Sequence, residues 1–164
     1  MLPVNTILSY CGDLPESAFD PGGLLLPEGG RTGVLFVLIE GEVEILKGDF
    51  QVDAVSEPGA IFGEVSALLD IPHMATVRAV TVSRAYRIDD VAVFLNRNPG
   101  LALQIAAILA QRLNGVTNYL IDIKKQFDDQ KNHLGIVDEV LQTIVHQQRQ
   151  SFIPGSVRDP DPSL

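Results

Sequence analysis

The stretch Phe62-Gly63-Glu64-Val65-Ser66-Ala67-Leu68-Leu69-Asp70-Ile71-Pro72-His73-Met74-Ala75-Thr76-Val77-Arg78-Ala79 decides the fold. Residues 63–70 are good helix formers without alternation, so they predict a short helix set between strands. It starts after a glycine, with Glu64 in its first turn. Such a start offers unpaired backbone N–H groups and the positive end of a helix dipole, which suit an anion such as phosphate. The other reading is a plain bridging turn that packs Val65, Leu68 and Leu69 into the core. Residues 75–80 then read as a strand.

Outward from this stretch the chain is β-rich. Residues 34–40 and 42–46 predict two strands meeting at Gly41, and Lys47-Gly48-Asp49 a turn. The next strand is 50–55, with alternation at Phe50, Val52 and Ala54. Pro58-Gly59 breaks the chain before Ile61-Phe62, and residues 84–88 supply a further strand. Most of the 14 glycines fall in this half. Many short strands with Gly/Pro turns imply a sandwich, barrel or jelly roll.

Composition excludes several classes. The chain has 164 residues, 46% of them hydrophobic, and a net charge of −9. That argues for a folded domain without the clustered basic surface a nucleic-acid binder needs. A single Cys11 can form neither an internal disulfide nor a multi-thiolate metal site, and it fits a reducing, cytoplasmic setting. The run at 101–110 contains Gln104 and is too short to span a bilayer. Leu8-Ser9-Tyr10-Cys11 lacks the basic and apolar regions of a lipoprotein leader. The expectation is a protein without membrane or nucleic-acid partners.

The order of features resembles the cyclic-nucleotide-binding domain family, of the catabolite activator and protein kinase A regulatory subunit type. The matching residues are 35–45 (Leu-Phe-Val-Leu-Ile-Glu-Gly-Glu-Val-Glu-Ile), Pro58-Gly59, Phe62-Gly63-Glu64, and Pro72 through Ala75-Thr76-Val77-Arg78-Ala79. The resemblance implies an α+β fold: a β jelly-roll barrel over 1–98, followed by C-terminal helices. It places a ligand cassette at 62–76, formed by Phe62, Gly63, Glu64, Val65, His73, Met74, Ala75 and Thr76. In that family the glutamate matched by Glu64 accepts a hydrogen bond from the ribose 2′-hydroxyl. Gly63 and the Val65 amide would line the sugar and phosphate. The ligand implied is cAMP or cGMP, with no cofactor required.

One position departs from the pattern. Nine residues after the glutamate the family places an arginine that neutralises the cyclic phosphate, and this chain has His73. Met74, next to it, offers only a weak acceptor. A histidine is mostly neutral above its ordinary pKa. Losing one charge-assisted contact costs about 1.5–3 kcal/mol, or about ten- to a hundredfold in affinity. Weak or pH-dependent nucleotide binding is therefore expected; the alternatives are a different small ligand or a pocket that binds nothing. Arg78, Arg84 and Arg87 read as solvent-facing strand residues rather than replacements.

Beyond residue 90 the period becomes helical, and two helices are expected, over 100–127 and 133–149. A heptad runs through Leu109, Val116, Ile123, Gln130, Val137 and Ile144, and through Leu113, Leu120, Phe127, Leu134, Leu141 and Gln148. This predicts a homodimer across the helical region 99–150, with a seam of Leu109, Leu113, Val116, Leu120, Ile123 and Phe127; packing of that face within the chain is the other reading. The second helix either extends the seam or folds back. The resemblance adds that this helix closes over the ligand and that Thr117 reaches its base. Residues 151–164, with Pro154-Gly155 and Asp159-Pro160-Asp161-Pro162, read as an irregular tail.

Catalytic signals are absent from the pattern. His73, His133 and His146 are scattered, so no metal-ligand spacing emerges, and no nucleophile elbow or phosphate loop is present. Haem ligation by His73 or Cys11 has no specific support. After Phe127 the chain carries Lys131, Arg149 and Arg158 against six acids, too few bases to read DNA. The expectation is a stand-alone, non-enzymatic regulatory module that signals through an unidentified protein partner. The competing expectation is a dimeric interaction scaffold that has lost its ligand.

Overall fold

The computed structural model describes residues 5–127 and 135–147. Its β half consists of two antiparallel four-stranded sheets. The strands are β1 (Glu16–Phe19), β2 (Leu24–Leu26), β3 (Leu35–Glu40), β4 (Val43–Lys47), β5 (Phe50–Val55), β6 (Ile61–Phe62), β7 (Thr76–Ala79) and β8 (Ser83–Ile88). One sheet has the order β1-β8-β3-β6 and the other β2-β7-β4-β5. The core between them joins Phe36, Leu38, Phe62 and Ala85 of the first to Leu26, Val43, Val77 and Ala79 of the second. This is the expected jelly-roll-like arrangement, with two antiparallel sheets packed on one core.

Position within each sheet explains the sequence patterns. β3 lies between β8 and β6, and Leu35, Phe36, Val37 and Leu38 are all buried, on both faces. That double burial is why the strand reads as an unbroken apolar run rather than an alternation. β5 is the outer strand beyond β4, and its alternating residues are not buried: Phe50 is 73% exposed and Val52 58%. At an edge strand, alternation marks two faces without guaranteeing that either is covered.

The helices are α1 (Asn5–Ser9), α2 (Glu64–Leu69), α3 (Val91–Arg97), α4 (Pro99–Gln126) and α5 (Gly135–Gln147). α2, α4 and α5 answer to the predicted helices, whereas α1, α3, β1 and β2 were not anticipated. α3 begins at a side-chain cap, with the Asp90 carboxylate accepting from the Val93 amide at 3.1 Å. The described residues divide into two compact units, one up to Ala102 and one from Leu103 onward. Within the second unit Lys124, in the last turn of α4, pairs with Asp138 in the first turn of α5. The heptad positions Gln130, Leu134 and Gln148, and the tail 151–164, lie outside the described residues. Among the described residues, no single helix is long and apolar enough to cross a membrane.

Candidate functional site

The cassette is assembled by a sharp reversal at the end of β6. Phe62 pairs with Phe36 of β3, and the chain then turns at Gly63, whose φ is +90°. A Cβ at Gly63 would run into the Val34 carbonyl oxygen, so both the conformation and the space require glycine there. α2 follows for six residues and stops at Asp70, which adopts a left-handed conformation with φ of 52°. The helix is amphipathic in an unusual sense. Its buried residues are Glu64 and Ser66, whereas Leu68 and Leu69 are 36% and 45% exposed. The reading of α2 as an apolar bridge is thereby corrected: it turns polar groups inward.

The loop between β2 and β3, residues 27–34, closes against the segment that follows α2. The Gly29 amide donates to the His73 carbonyl at 2.8 Å, and the His73 amide to the Gly30 carbonyl at 2.9 Å. Further along, the Glu28 amide donates to the Thr76 hydroxyl oxygen at 3.0 Å. Lys47 donates to the Met74 carbonyl at 2.7 Å and pairs with Glu28 at 2.7 Å, while the Gly48 amide donates to the same carboxylate at 2.9 Å. Lys47 and the Gly48 amide hold the Glu28 carboxyl below its usual range. Arg31 reaches the far end of α2, donating to the Asp70 carbonyl at 3.1 Å.

His73 sits at the centre of this closure. It is 4% exposed, with Nδ1 at 2.8 Å from the Ser66 hydroxyl and Nε2 at 2.7 Å from the Thr32 hydroxyl. Burial pushes its pKa below the ordinary histidine value. The site residue next to it behaves differently: the Met74 side chain is 59% exposed, and only its carbonyl takes part in the closure. Val65, Ala75 and Thr76 are half-buried and Phe62 is buried. The structure thus brings the expected residues of 62–76 into one turn-helix-turn, with Glu64 buried beside Ser66. Thr117, in the other compact unit, donates its hydroxyl to the Leu113 carbonyl of its own helix at 2.8 Å.

Sequence reasoning missed Thr32, Ser66, Glu28 and Lys47 as parts of the site. Thr32 lies 41 residues from His73; the only hint was the glycine-rich run Gly29-Gly30-Arg31-Thr32-Gly33, which allows close backbone approach. Of the three arginines weighed on the strands, Arg78 is half-buried and pairs with Glu44 at 2.6 Å, Arg84 pairs with Glu16 and Glu40, and Arg87 with Asp89. None is bonded to the cassette. Cys11 is fully buried, and desolvation pushes its thiol up to about 11. Among the described residues no group of three or more His, Cys, Asp or Glu could hold a metal ion. A cavity of about 240 Å³ lies elsewhere, between Leu14-Pro15, the end of β8 and α3, and is lined by none of the cassette residues.

Residues 16–95 match the family model described as the cyclic nucleotide-binding domain. A cAMP-dependent protein kinase regulatory subunit from Yarrowia lipolytica is 41% identical over 70 residues, 42% of this chain and 18% of its own length. The potassium channel SKOR of Arabidopsis thaliana is 35% identical over 80 residues, 46% of this chain and 10% of its own length. The chain therefore spans less than a fifth of either curated relative. Among solved structures, the catabolite activator protein of Thermus thermophilus superimposes with a TM-score of 0.60 at 20% identity, covering 89% of this chain and 82% of that one.

Proposed function

We propose, from the premise that residues 16–95 form a domain of the cyclic nucleotide-binding family, that this protein is a non-catalytic regulatory module that senses cAMP or cGMP. The observation that carries the reading is the Phe62-Gly63-Glu64 reversal, which delivers a buried glutamate and a short helix under a closed loop. Glu64 would take the ribose hydroxyl, Gly63 and the Val65 amide the sugar and phosphate, and Thr76 and Ala75 the rest of the wall. Binding is weak, because the position of the phosphate-neutralising arginine holds His73. The module works in the cytoplasm as a homodimer through α4 and passes its state to a protein partner.

Calorimetric titration with cAMP and cGMP at pH 6 and pH 8 tests this. Binding an anion beside His73 favours its protonated form, so affinity rises toward pH 6. His73→Ala abolishes that rise, and His73→Arg strengthens binding by about ten- to a hundredfold. No heat and no thermal stabilisation of the wild type at millimolar nucleotide would overturn the reading. One observation favours a second one: both ring nitrogens of His73 are already bonded within the protein. On that reading the cassette is an internally satisfied remnant, and the fold serves as a dimeric interaction scaffold or takes a different small ligand. Nucleotide binding by His73→Arg alone, with none by the wild type, is its signature.

A further inference from the structure

Two hydroxyls, those of Ser66 and Thr32, meet the two ring nitrogens of the buried His73. Ser66 is 7% exposed, and its hydroxyl makes a bond to His73 Nδ1 and no other among the described residues. A buried hydroxyl must place its proton on an acceptor, so Ser66 donates and Nδ1 accepts. A neutral imidazole then carries its proton on Nε2, which donates to the Thr32 oxygen. Thr32 is exposed to solvent, and its oxygen also accepts from the Val34 amide at 3.3 Å. Its own proton is left to water.

We infer that Ser66 and Thr32 are positioning residues acting through His73, with opposite effects: Ser66 holds the ring in its neutral Nε2–H form, and Thr32 supports the charged form. The inference rests on the cyclic-nucleotide reading only for its purpose, which is to set how readily the cassette charges when an anion enters. Charging the ring puts a proton on Nδ1, which then faces the Ser66 hydroxyl; Ser66 must swing its own proton away inside a buried site. The Thr32 oxygen accepts from Nε2–H in both states and more strongly from the imidazolium. The charged residues on the elements that meet at His73 are Glu28 and Arg31 on the loop, Glu64 and Asp70 on α2 and its cap, and Lys47 at the end of β4. Of these, Lys47 is tied to Glu28 and Arg31 to Asp70.

The test is nitrogen-detected NMR of the full chain without nucleotide, at physiological ionic strength. At pH 8 the wild-type His73 ring shows a protonated Nε2 and an unprotonated Nδ1. Titration then follows the midpoint. Ser66→Ala raises it by about 0.5–1 pH unit and Thr32→Val lowers it by a similar amount, as expected for loss of one hydrogen bond to either form. Thr32→Ser keeps the wild-type midpoint. A merely structural role for the two residues would move both midpoints together or neither, and that result would overturn the inference. An Nδ1–H ring in the wild type would overturn it as well, whether or not the Ser66→Ala protein folds. Failure of nucleotide to bind leaves these readouts untouched, so the inference and the proposed function fail separately.

Discussion

His73 makes the stability of the protein depend on pH. Its pKa is lowered in the folded state by burial, so between that value and the ordinary one near 6.5 the unfolded chain binds more protons. Stability is then full above the unfolded value and declines as pH falls toward the folded one, by at most about 1.4 kcal/mol per pH unit for a single group. Glu28 and Glu40 are also lowered, by Lys47 and Arg84 respectively. Their contribution is present above the ordinary carboxylate value and disappears only at more acid pH. Urea unfolding at pH 7.5 and 5.5 is therefore expected to show a loss in the wild type that His73→Gln does not share. Equal losses in both proteins would assign the effect to other groups. His73 and Glu64 stood out through the resemblance to the cyclic-nucleotide-binding family, whose motif lies within one segment. The sequence could not reveal Thr32 or Ser66, since their roles exist only once the loop 27–34 has folded over α2.

Among the elements, β3 and β7 could be read because their burial matches a simple rule. β3 is covered on both faces and shows as Leu35-Phe36-Val37-Leu38; β7 is half-covered, with Val77 and Ala79 inward. β1 and β2 were missed because Glu16-Ser17-Ala18-Phe19 and Leu24-Leu25-Leu26 are too short to establish a period, and their identity comes from pairing with β8 and β7. α3 was missed for the same reason, its seven residues being defined by the Asp90 cap. Two glycines show how differently the same residue serves two elements. Gly115 lies inside α4, and a Cβ there meets nothing within 4 Å. Gly115→Ala is expected to stabilise the helix by about 0.5–1 kcal/mol, through helix propensity and a less flexible unfolded chain. Gly63→Ala collides with the Val34 carbonyl at positive φ and is expected to destabilise by more than that. Thermal melts of the two variants should move in opposite directions; a neutral Gly63→Ala would mean that the reversal at the start of the cassette is not held as described.

At the scale of the whole molecule, the question left by the fold is what covers α4. The heptad was legible because a period of 3.5 residues survives in sequence whether or not its partner is present. In the isolated chain, Leu113, Val116 and Phe127 are 45%, 54% and 47% exposed, while Leu109, Leu120 and Ile123 are half-buried. An apolar stripe kept in heptad register over this length is costly for a lone helix in water, and a second copy of the same stripe relieves it. With Leu113, Leu120 and Phe127 at one core position and Leu109, Val116 and Ile123 at the other, the pattern also suits more than two strands. The mass must therefore be measured without assuming a dimer. Sedimentation equilibrium of the wild type is expected to give twice the chain mass, with Leu120→Lys shifted to the monomer, because a lysine at the centre of the seam meets its own copy across it. Surface charge does not explain such a shift if Asp122→Lys, one turn-face away on an exposed position, leaves the assembly intact. A monomer in both the wild type and Leu120→Lys would mean that α4 is satisfied within its own chain.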